Sequence, residues 1–103
     1  MVNDISSVLK RKKRNKDIRQ LCNILHDKYY IDKSKVARAM KLPVQYYYDF
    51  VADTRDLLYP NLIKIESFIF DLYDPILEYE MERNNIHLDP LDDDSDNQIS
   101  LNI

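Results

Sequence analysis

Cys22 and His26 are the two residues whose types and spacing come closest to a catalytic or metal-binding pair. They lie four positions apart, so a helix would place them on one face. Two ligands do not make a metal site, and no further Cys or His falls at zinc-binding spacing. We therefore interpret Cys22 as a core residue and His26 as a residue at the boundary of the core.

Other residues offer little more for catalysis. The chain contains no Gly, which excludes the glycine-rich loops that bind phosphate in many nucleotide-dependent enzymes. His87 stands alone beside an acidic segment, and the carboxylates lie on segments too polar to raise their pKa by burial. We predict that the protein is not an enzyme and that it needs no cofactor and no metal.

The charged residues divide the chain into a basic half and an acidic half. Residues 1–50 contain 12 Lys and Arg against 5 Asp and Glu, whereas residues 51–103 contain 3 against 13. This asymmetry indicates one of three arrangements: the first half binds an anionic partner, the two halves pair with each other, or two copies pair head to tail.

Length and composition favour one small intracellular domain. A chain of 103 residues can bury a single core, and the single cysteine excludes an internal disulfide. No apolar run approaches the ~18 residues of a membrane span, so we expect no membrane association and a cytoplasmic location. The abundance of Ile, Asn, Lys, Asp and Tyr is typical of an A+T-rich genome, such as that of a low-GC bacterium, a phage or a plasmid.

The stretch from Asp32 to Asp53 has the outline of two short helices joined by a tight turn. Asp32 is suited to cap the first helix, which begins at Lys33. Pro43 fits the first turn of the second helix, where its missing N–H costs nothing. The residues predicted to face inward are Val36, Ala37 and Met40 in the first helix and Val44, Tyr47, Tyr48 and Val51 in the second.

The remaining residues of the second helix should be exposed or partly exposed. Successive helical residues are rotated by about 100°, so the run Tyr46, Tyr47 and Tyr48 should place one ring in the core and at least one in solvent. The predicted outward residues are Tyr46, Asp49 and Asp53, with Gln45 and Phe50 at the boundary.

The segments before this helix pair are basic and then amphipathic. Residues 2–9 have the spacing of a short helical turn. Lys10 to Lys16 contains no apolar residue, so residues 1–16 are interpreted as a basic N-terminal arm that is either mobile or in contact with nucleic acid. A helix with Asn15 as its N-cap should follow and bury Ile18, Leu21, Cys22 and Leu25.

The segments after it are apolar and then acidic. Asn61–Tyr73 is apolar on more than one face, so this helix is either the centre of the core or the carrier of an interface. Pro75 either begins another helix or kinks one long helix that ends near Arg83. Residues 17–86 would then form the helical domain, and residues 87–103 a disordered acidic tail, in which Ile99, Leu101 and Ile103 alternate as in a strand that could add to another chain.

The predicted fold is therefore an all-α bundle of four to five short helices, and Asn15–Tyr73 resembles the Xre/Cro/lambda-repressor-like helix-turn-helix family. Val36-Ala37 matches the apolar-Ala pair of the first motif helix, and Leu42 matches the apolar residue after the turn. Tyr47 and Phe50 match further buried positions. The chain departs from the family at Lys41, where Gly is usual, at Pro43, where Ser or Thr is usual, and in a longer loop before Pro60.

This resemblance implies a small DNA-binding transcriptional regulator, similar to phage or plasmid repressors, that binds double-stranded DNA as a homodimer. The helix from Pro43 to Asp53 would enter the major groove through its N-terminal end. Its exposed face has no Lys or Arg, so neighbouring cations must contact phosphate. The implied DNA-binding residues are Lys10, Arg11, Lys12, Lys13, Arg14, Lys16, Lys33, Lys35, Arg38, Lys41, Gln45, Tyr46 and Asp49.

A second hypothesis is a protein-binding module or inhibitor built on the same scaffold. Exposed Tyr is common at protein interfaces because its large rigid ring buries area at low entropic cost. The candidate interface residues are Tyr46, Tyr48, Phe68 and Phe70. The acidic tail could imitate nucleic acid for a partner protein, or it could compete with DNA for the basic arm.

Overall fold

Four helices make up the part of the chain that the computed structural model describes, which is residues 2–90, with side chains from residue 5 onward. They are α1 (Val2–Asp27), α2 (Lys33–Ala39), α3 (Val44–Val51) and α4 (Tyr59–Arg83). Residues 2–90 contain no strand, so the described chain is all-α, as predicted. None of these helices has the length and apolar character of a membrane span. The tail beyond residue 90, with Ile99, Leu101 and Ile103, lies outside the described residues.

The core lies where α1 and α4 run side by side and α3 packs against α1. Arg14 near the middle of α1 contacts Glu66, and Lys28 just after α1 contacts Glu80, so the two long helices point in the same direction. Burial of apolar side chains between the helices stabilises this arrangement. The fully buried residues include Ile18, Leu21 and Cys22 of α1, Tyr47 and Phe50 of α3, and Leu62, Ile65 and Leu77 of α4.

The basic segment from Lys10 to Lys16 is the middle of α1, so the prediction of a separate arm and of a helix cap at Asn15 is wrong. Lys and Arg are good helix formers, and no Gly or Pro interrupts the segment. Asn15 is completely buried. Its amide nitrogen donates to the Arg11 and Leu57 carbonyls at 2.9 and 3.0 Å, and its amide oxygen accepts from the Leu57 N–H at 2.7 Å. Asn15 therefore joins α1 to the loop before α4.

Helix α4 is one long helix with a kink, which confirms the second of the two predicted possibilities. Tyr73 has non-helical dihedrals, φ −126° and ψ 23°, two residues before Pro75. Pro75 has no N–H for the carbonyl of Asp71, and its ring crowds that carbonyl, which explains a bend at this point.

Residues 86–90 fold back onto α1, so the free tail does not begin at His87 as predicted. Ile86 is buried and Leu88 packs against the core. The Lys13 ammonium donates to the His87 carbonyl at 3.2 Å, and the Arg14 guanidinium donates to the Asp89 carbonyl. These two α1 cations fix the segment that leads into the acidic tail.

Candidate nucleic-acid interface

Asp32 caps α2 in the predicted manner. Its carboxylate accepts from the Lys35 N–H at 2.9 Å and from the Ser34 hydroxyl at 3.0 Å. These hydrogen bonds, the Lys35 bond above all, lower the pKa of Asp32 because they favour the charged carboxylate. Val36, Ala37 and Met40 face the core, as the helical spacing predicts.

The turn between α2 and α3 has left-handed geometry at Lys41. The φ angle of Lys41 is 61°, a conformation that Gly adopts most readily. Lys41 adopts this conformation although it carries a Cβ atom. Leu42 is buried next to it, and the Pro43 carbonyl accepts from the Tyr46 N–H at 2.9 Å to begin α3.

Helix α3 is rotated about its axis relative to the sequence prediction. Tyr47, Phe50 and Val51 are buried, whereas Val44 is 37% exposed and Tyr48 is half-buried. The predictions that Val44 faces the core and that Phe50 lies at its boundary are therefore wrong. The Arg19 guanidinium covers the Phe50 ring at 4.8 Å, a contact from α1 that the periodicity of α3 does not report.

His26 makes two hydrogen bonds within the fold, and Cys22 is buried. The His26 Nδ1 lies 2.7 Å from the Ile31 carbonyl, and its Nε2 lies 2.7 Å from the Tyr47 hydroxyl. A carbonyl can only accept, so Nδ1 carries the proton and Nε2 accepts from Tyr47. Burial lowers the pKa of His26 and raises the pKa of the Cys22 thiol to about 12. Cys22 is thus buried in the core and His26 lies at its boundary, as predicted.

The exposed face of α3 is completed by Arg55, a residue that the sequence analysis did not select. The Arg55 guanidinium stacks on the Tyr46 ring at 4.3 Å, and its Nε lies 3.4 Å from the Asp49 carboxylate. The Gln45 amide donates to the same carboxylate at 2.8 Å. Arg55 lies in the loop after α3, and no sequence spacing links it to this helix. It supplies a cation to a face that the sequence of α3 makes acidic and aromatic.

The cations of α2 and of the turn after it are exposed. Within residues 5–90, none of their side chains forms an ion pair, although the Arg38 guanidinium donates to the Ser34 hydroxyl at 3.2 Å. These cations are Lys33, Lys35, Arg38 and Lys41.

Several α1 cations, in contrast, are matched by acidic groups of the fold. The Arg14 guanidinium makes two bonds to the Glu66 carboxylate, at 2.9 and 2.7 Å. The Lys13 ammonium lies 2.7 Å from the Asp17 carboxylate, and the Lys12 ammonium lies 3.7 Å from the Asp56 carboxylate. Of the remaining predicted α1 residues, Lys10 and Lys16 are exposed and Arg11 is half-buried.

The predicted protein-interface residues divide between surface and core. Tyr46 is 38% exposed, whereas Tyr48, Phe68 and Phe70 are half-buried and pack against the core. The large apolar residues that α4 does expose are Leu72 and Tyr79, at 57% and 54%. They lie on either side of the kink at Tyr73.

Comparisons with protein-family models, with characterised proteins and with solved structures found no match. The geometry of the α2–α3 motif is therefore the basis for the functional argument. Within residues 5–90, no three His, Cys, Asp or Glu side chains are placed to hold a metal ion.

Proposed function

We propose that the protein is a double-stranded-DNA-binding transcriptional regulator, a repressor of the phage or plasmid type, that places the N-terminal end of α3 in the major groove. The observation that carries the proposal is the set of exposed cations around the α2–α3 motif that have no acidic partner within residues 5–90. Phosphate contacts supply much of the affinity of DNA-binding proteins, and such contacts need cations that are not already paired.

The phosphate-contacting residues in this proposal are those of α2 and its turn. Lys35 and Arg38 are exposed on α2, and Lys41 extends from the turn that leads into α3. Lys12, Lys13 and Arg14 have a smaller role than the sequence implied, because each already has a carboxylate partner in the fold.

The base-contacting residues are Gln45, Tyr46 and Arg55, arranged around Asp49. Gln suits adenine and Arg suits guanine, because each can make two hydrogen bonds to the major-groove edge of that base. In the free protein the Gln45 amide and the Arg55 guanidinium are both held by Asp49. Binding would exchange these contacts for base edges, so Asp49 orients the two donors beforehand.

A dimer fits this function better than a monomer. One motif with a single short α3 contacts few base pairs, and helix-turn-helix proteins commonly bind two half-sites about one turn of DNA apart. We therefore propose a homodimer on DNA.

Fluorescence anisotropy with mixed genomic duplex fragments at several salt concentrations tests the proposal. The unmodified protein should bind at low salt, and log K should fall as salt increases. In the variant Lys35→Gln/Arg38→Gln/Lys41→Gln we expect at least about tenfold weaker binding at low salt and a salt slope reduced by about one for each lost phosphate contact.

Lys64→Gln is the control, because it removes an exposed cation of α4 that lies outside the motif. It should change the affinity by less than the motif variant does. Absence of salt-dependent binding in the unmodified protein, or an equal loss in the control, would show that the motif does not bind DNA.

Binding of a protein partner is the second candidate function. It is favoured by the exposed side chains of Tyr46, Leu72 and Tyr79. Large exposed apolar residues are typical of interaction sites. Tyr46→Ala should then abolish binding of a captured partner without loss of helical content measured by circular dichroism. Retention of the partner by Tyr46→Ala and by Leu72→Ser/Tyr79→Ser would exclude both surfaces.

A further inference from the structure

The N-terminal part of α1 exposes an apolar stripe. Ile5, Val8 and Leu9 have helical i, i+3, i+4 spacing, and their side chains are 69%, 43% and 60% exposed. The C-terminal part of the same helix packs in the core. Exposed apolar residues that share one helix side usually mark a contact surface. We refer to these three residues as the α1 stripe.

A basic run lies next to the α1 stripe along the same helix. It extends from Lys10 to Lys13, between the stripe and Arg14. Lys12 remains 67% exposed despite its 3.7 Å contact with Asp56, and Lys13 is 58% exposed. From Arg14 toward the N-terminus, the surface of α1 is therefore first basic and then apolar.

The described chain ends beside this surface. The Arg14 guanidinium donates to the Asp89 carbonyl, and the Lys13 ammonium donates to the His87 carbonyl at 3.2 Å. Thirteen residues follow Pro90. In chain order they contain the acidic residues Asp92, Asp93, Asp94 and Asp96 and then the apolar residues Ile99, Leu101 and Ile103.

The order of chemistry in this segment matches the order on α1 when the two run in opposite directions. We propose that residues 91–103 bind back along α1, with the acidic residues against the basic run and the three apolar residues on the α1 stripe. Ile5 lies nine residues before Arg14, about 13.5 Å along the helix and roughly half a turn around it. Thirteen extended residues span roughly 40 Å, so the segment reaches the stripe without difficulty.

Charge and connectivity favour this occupant over a second copy of α1. Two α1 stripes that met in parallel would bring two basic runs together, whereas the acidic segment is opposite in charge. Its attachment at Pro90 gives it a high effective concentration at the stripe. When the segment is bound there, it restricts the access of anionic partners to Lys10–Lys13. This consequence does not depend on DNA binding by the α2–α3 motif.

Amide hydrogen exchange of the full chain tests the proposal directly. Two variants weaken the proposed contact from the tail side, Asp92→Asn/Asp93→Asn/Asp94→Asn/Asp96→Asn and Ile99→Ser/Leu101→Ser/Ile103→Ser. In each variant, residues 5–12 should exchange on the order of tenfold faster than in the unmodified protein. The core amides around Ile18 and Leu21 should be unchanged, because neither variant alters a residue of the described fold.

Two controls make comparable changes elsewhere on the surface. Asp71→Asn/Asp74→Asn removes exposed carboxylates from α4, and Leu72→Ser removes an exposed apolar side chain. Both should leave the exchange of residues 5–12 unchanged. A second measurement attaches a nitroxide at Asn102→Cys, since Cys22 is buried and stays unlabelled. The label should broaden the methyl resonances of Ile5, Val8 and Leu9.

Two results would overturn the proposal. One is unchanged exchange of residues 5–12 in both tail variants together with unbroadened α1 methyl groups. The other is protection that increases with protein concentration together with a dimeric mass in sedimentation, since the stripe would then be covered by a second copy.

Discussion

Asn15 shows how one buried polar side chain can join two distant parts of a chain. Its amide satisfies both the N–H and the carbonyl of Leu57, 42 residues away. We expect Asn15→Ala to lower the free energy of unfolding by about 2–3 kcal/mol, because both backbone groups of Leu57 would be left unpaired in the core. Urea denaturation measures this loss.

Gln20→Ala is the matched control for Asn15, because it removes another amide from α1 at a partly exposed position. It should change the free energy of unfolding by no more than about 0.5 kcal/mol. Equal losses in the two variants would mean that the Leu57 contacts contribute nothing measurable.

His26 should make stability depend on pH. Its pKa in the folded protein is below the ordinary 6.5, mainly because of burial. The unfolded state therefore binds more protons than the folded state as the pH falls below about 6.5, so the free energy of unfolding should decrease over that range and level off below the folded pKa. At pH 7.5 and above, the contribution of neutral His26 to the free energy of unfolding is fully present.

Urea denaturation between pH 7.5 and pH 5.5 tests the effect of His26. His26→Gln should lower stability at pH 7.5 and remove most of the pH dependence in this interval, whereas His87→Gln, at an exposed position, should retain it. The lowered pKa values of Asp32 and Glu80 act at more acidic pH, where protonation of these carboxylates removes their contributions. An unchanged slope in His26→Gln would assign the pH dependence to other groups.

At the scale of elements, this glycine-free chain ends its helices with other residues in the left-handed conformation. Such a residue follows each of the four helices described within residues 2–90, with φ angles of 55–64°. Backbone bonds such as Thr54 N–H to Asp49 carbonyl and Ile86 N–H to Met81 carbonyl close the turns. The four residues are Tyr30, Lys41, Asp53 and Asn85.

Lys41 is the clearest place to test the cost of this strategy. A left-handed conformation costs a residue with a Cβ atom about 1–2 kcal/mol, and Gly avoids this cost. Part of the resulting stabilisation is lost because Gly has more conformational freedom in the unfolded chain. We expect Lys41→Gly to raise the free energy of unfolding by about 0.5–1 kcal/mol. Lys35→Gly, the same change inside α2, should lower it by about 1 kcal/mol. Destabilisation by both variants would contradict the expectation for Lys41.

The helices that bury apolar residues were predictable, and the contacts between them were not. Helical spacing located α2, α3 and the buried half of α1, because each has enough apolar residues to define a face. It did not predict that α1 continues through Lys10–Lys16. The contacts of that segment come from residues far away in the sequence, such as Leu57 and Glu66, and helical spacing does not report them. The position of Arg55 over Tyr46 was missed for the same reason, because a loop residue has no periodic signal.

At the scale of the whole molecule, the charge asymmetry is partly used inside the fold. Cations in or just after α1 that contact acidic residues of the second half include Lys12 and Arg19, which contact Asp56, Arg14, which contacts Glu66, and Lys28, which contacts Glu80. Glu80 is almost completely buried, and the hydrogen bonds from Lys28 and then Tyr29 lower its pKa. These contacts agree with one of the three predicted arrangements, in which the two halves pair with each other. The cations of α2 and of the turn after it have no acidic partner within residues 5–90.

The Arg14–Glu66 pair tests whether this pairing stabilises the fold. Both side chains are largely buried, with 12% and 22% exposure, and they share two hydrogen bonds. Arg14→Met should cost about 2 kcal/mol because it leaves the Glu66 carboxylate poorly solvated and unpaired.

A double-mutant cycle measures the coupling in that pair. Arg14→Glu should be more destabilising than Arg14→Met because two carboxylates would then face each other, and adding Glu66→Arg should recover at least about 1 kcal/mol. Lys12→Ala, which breaks a more exposed contact of 3.7 Å with Asp56, should cost no more than about 0.5 kcal/mol. If the reversed pair recovers nothing, Arg14 contributes to stability through its Asp89 contact and its packing and not through its pairing with Glu66.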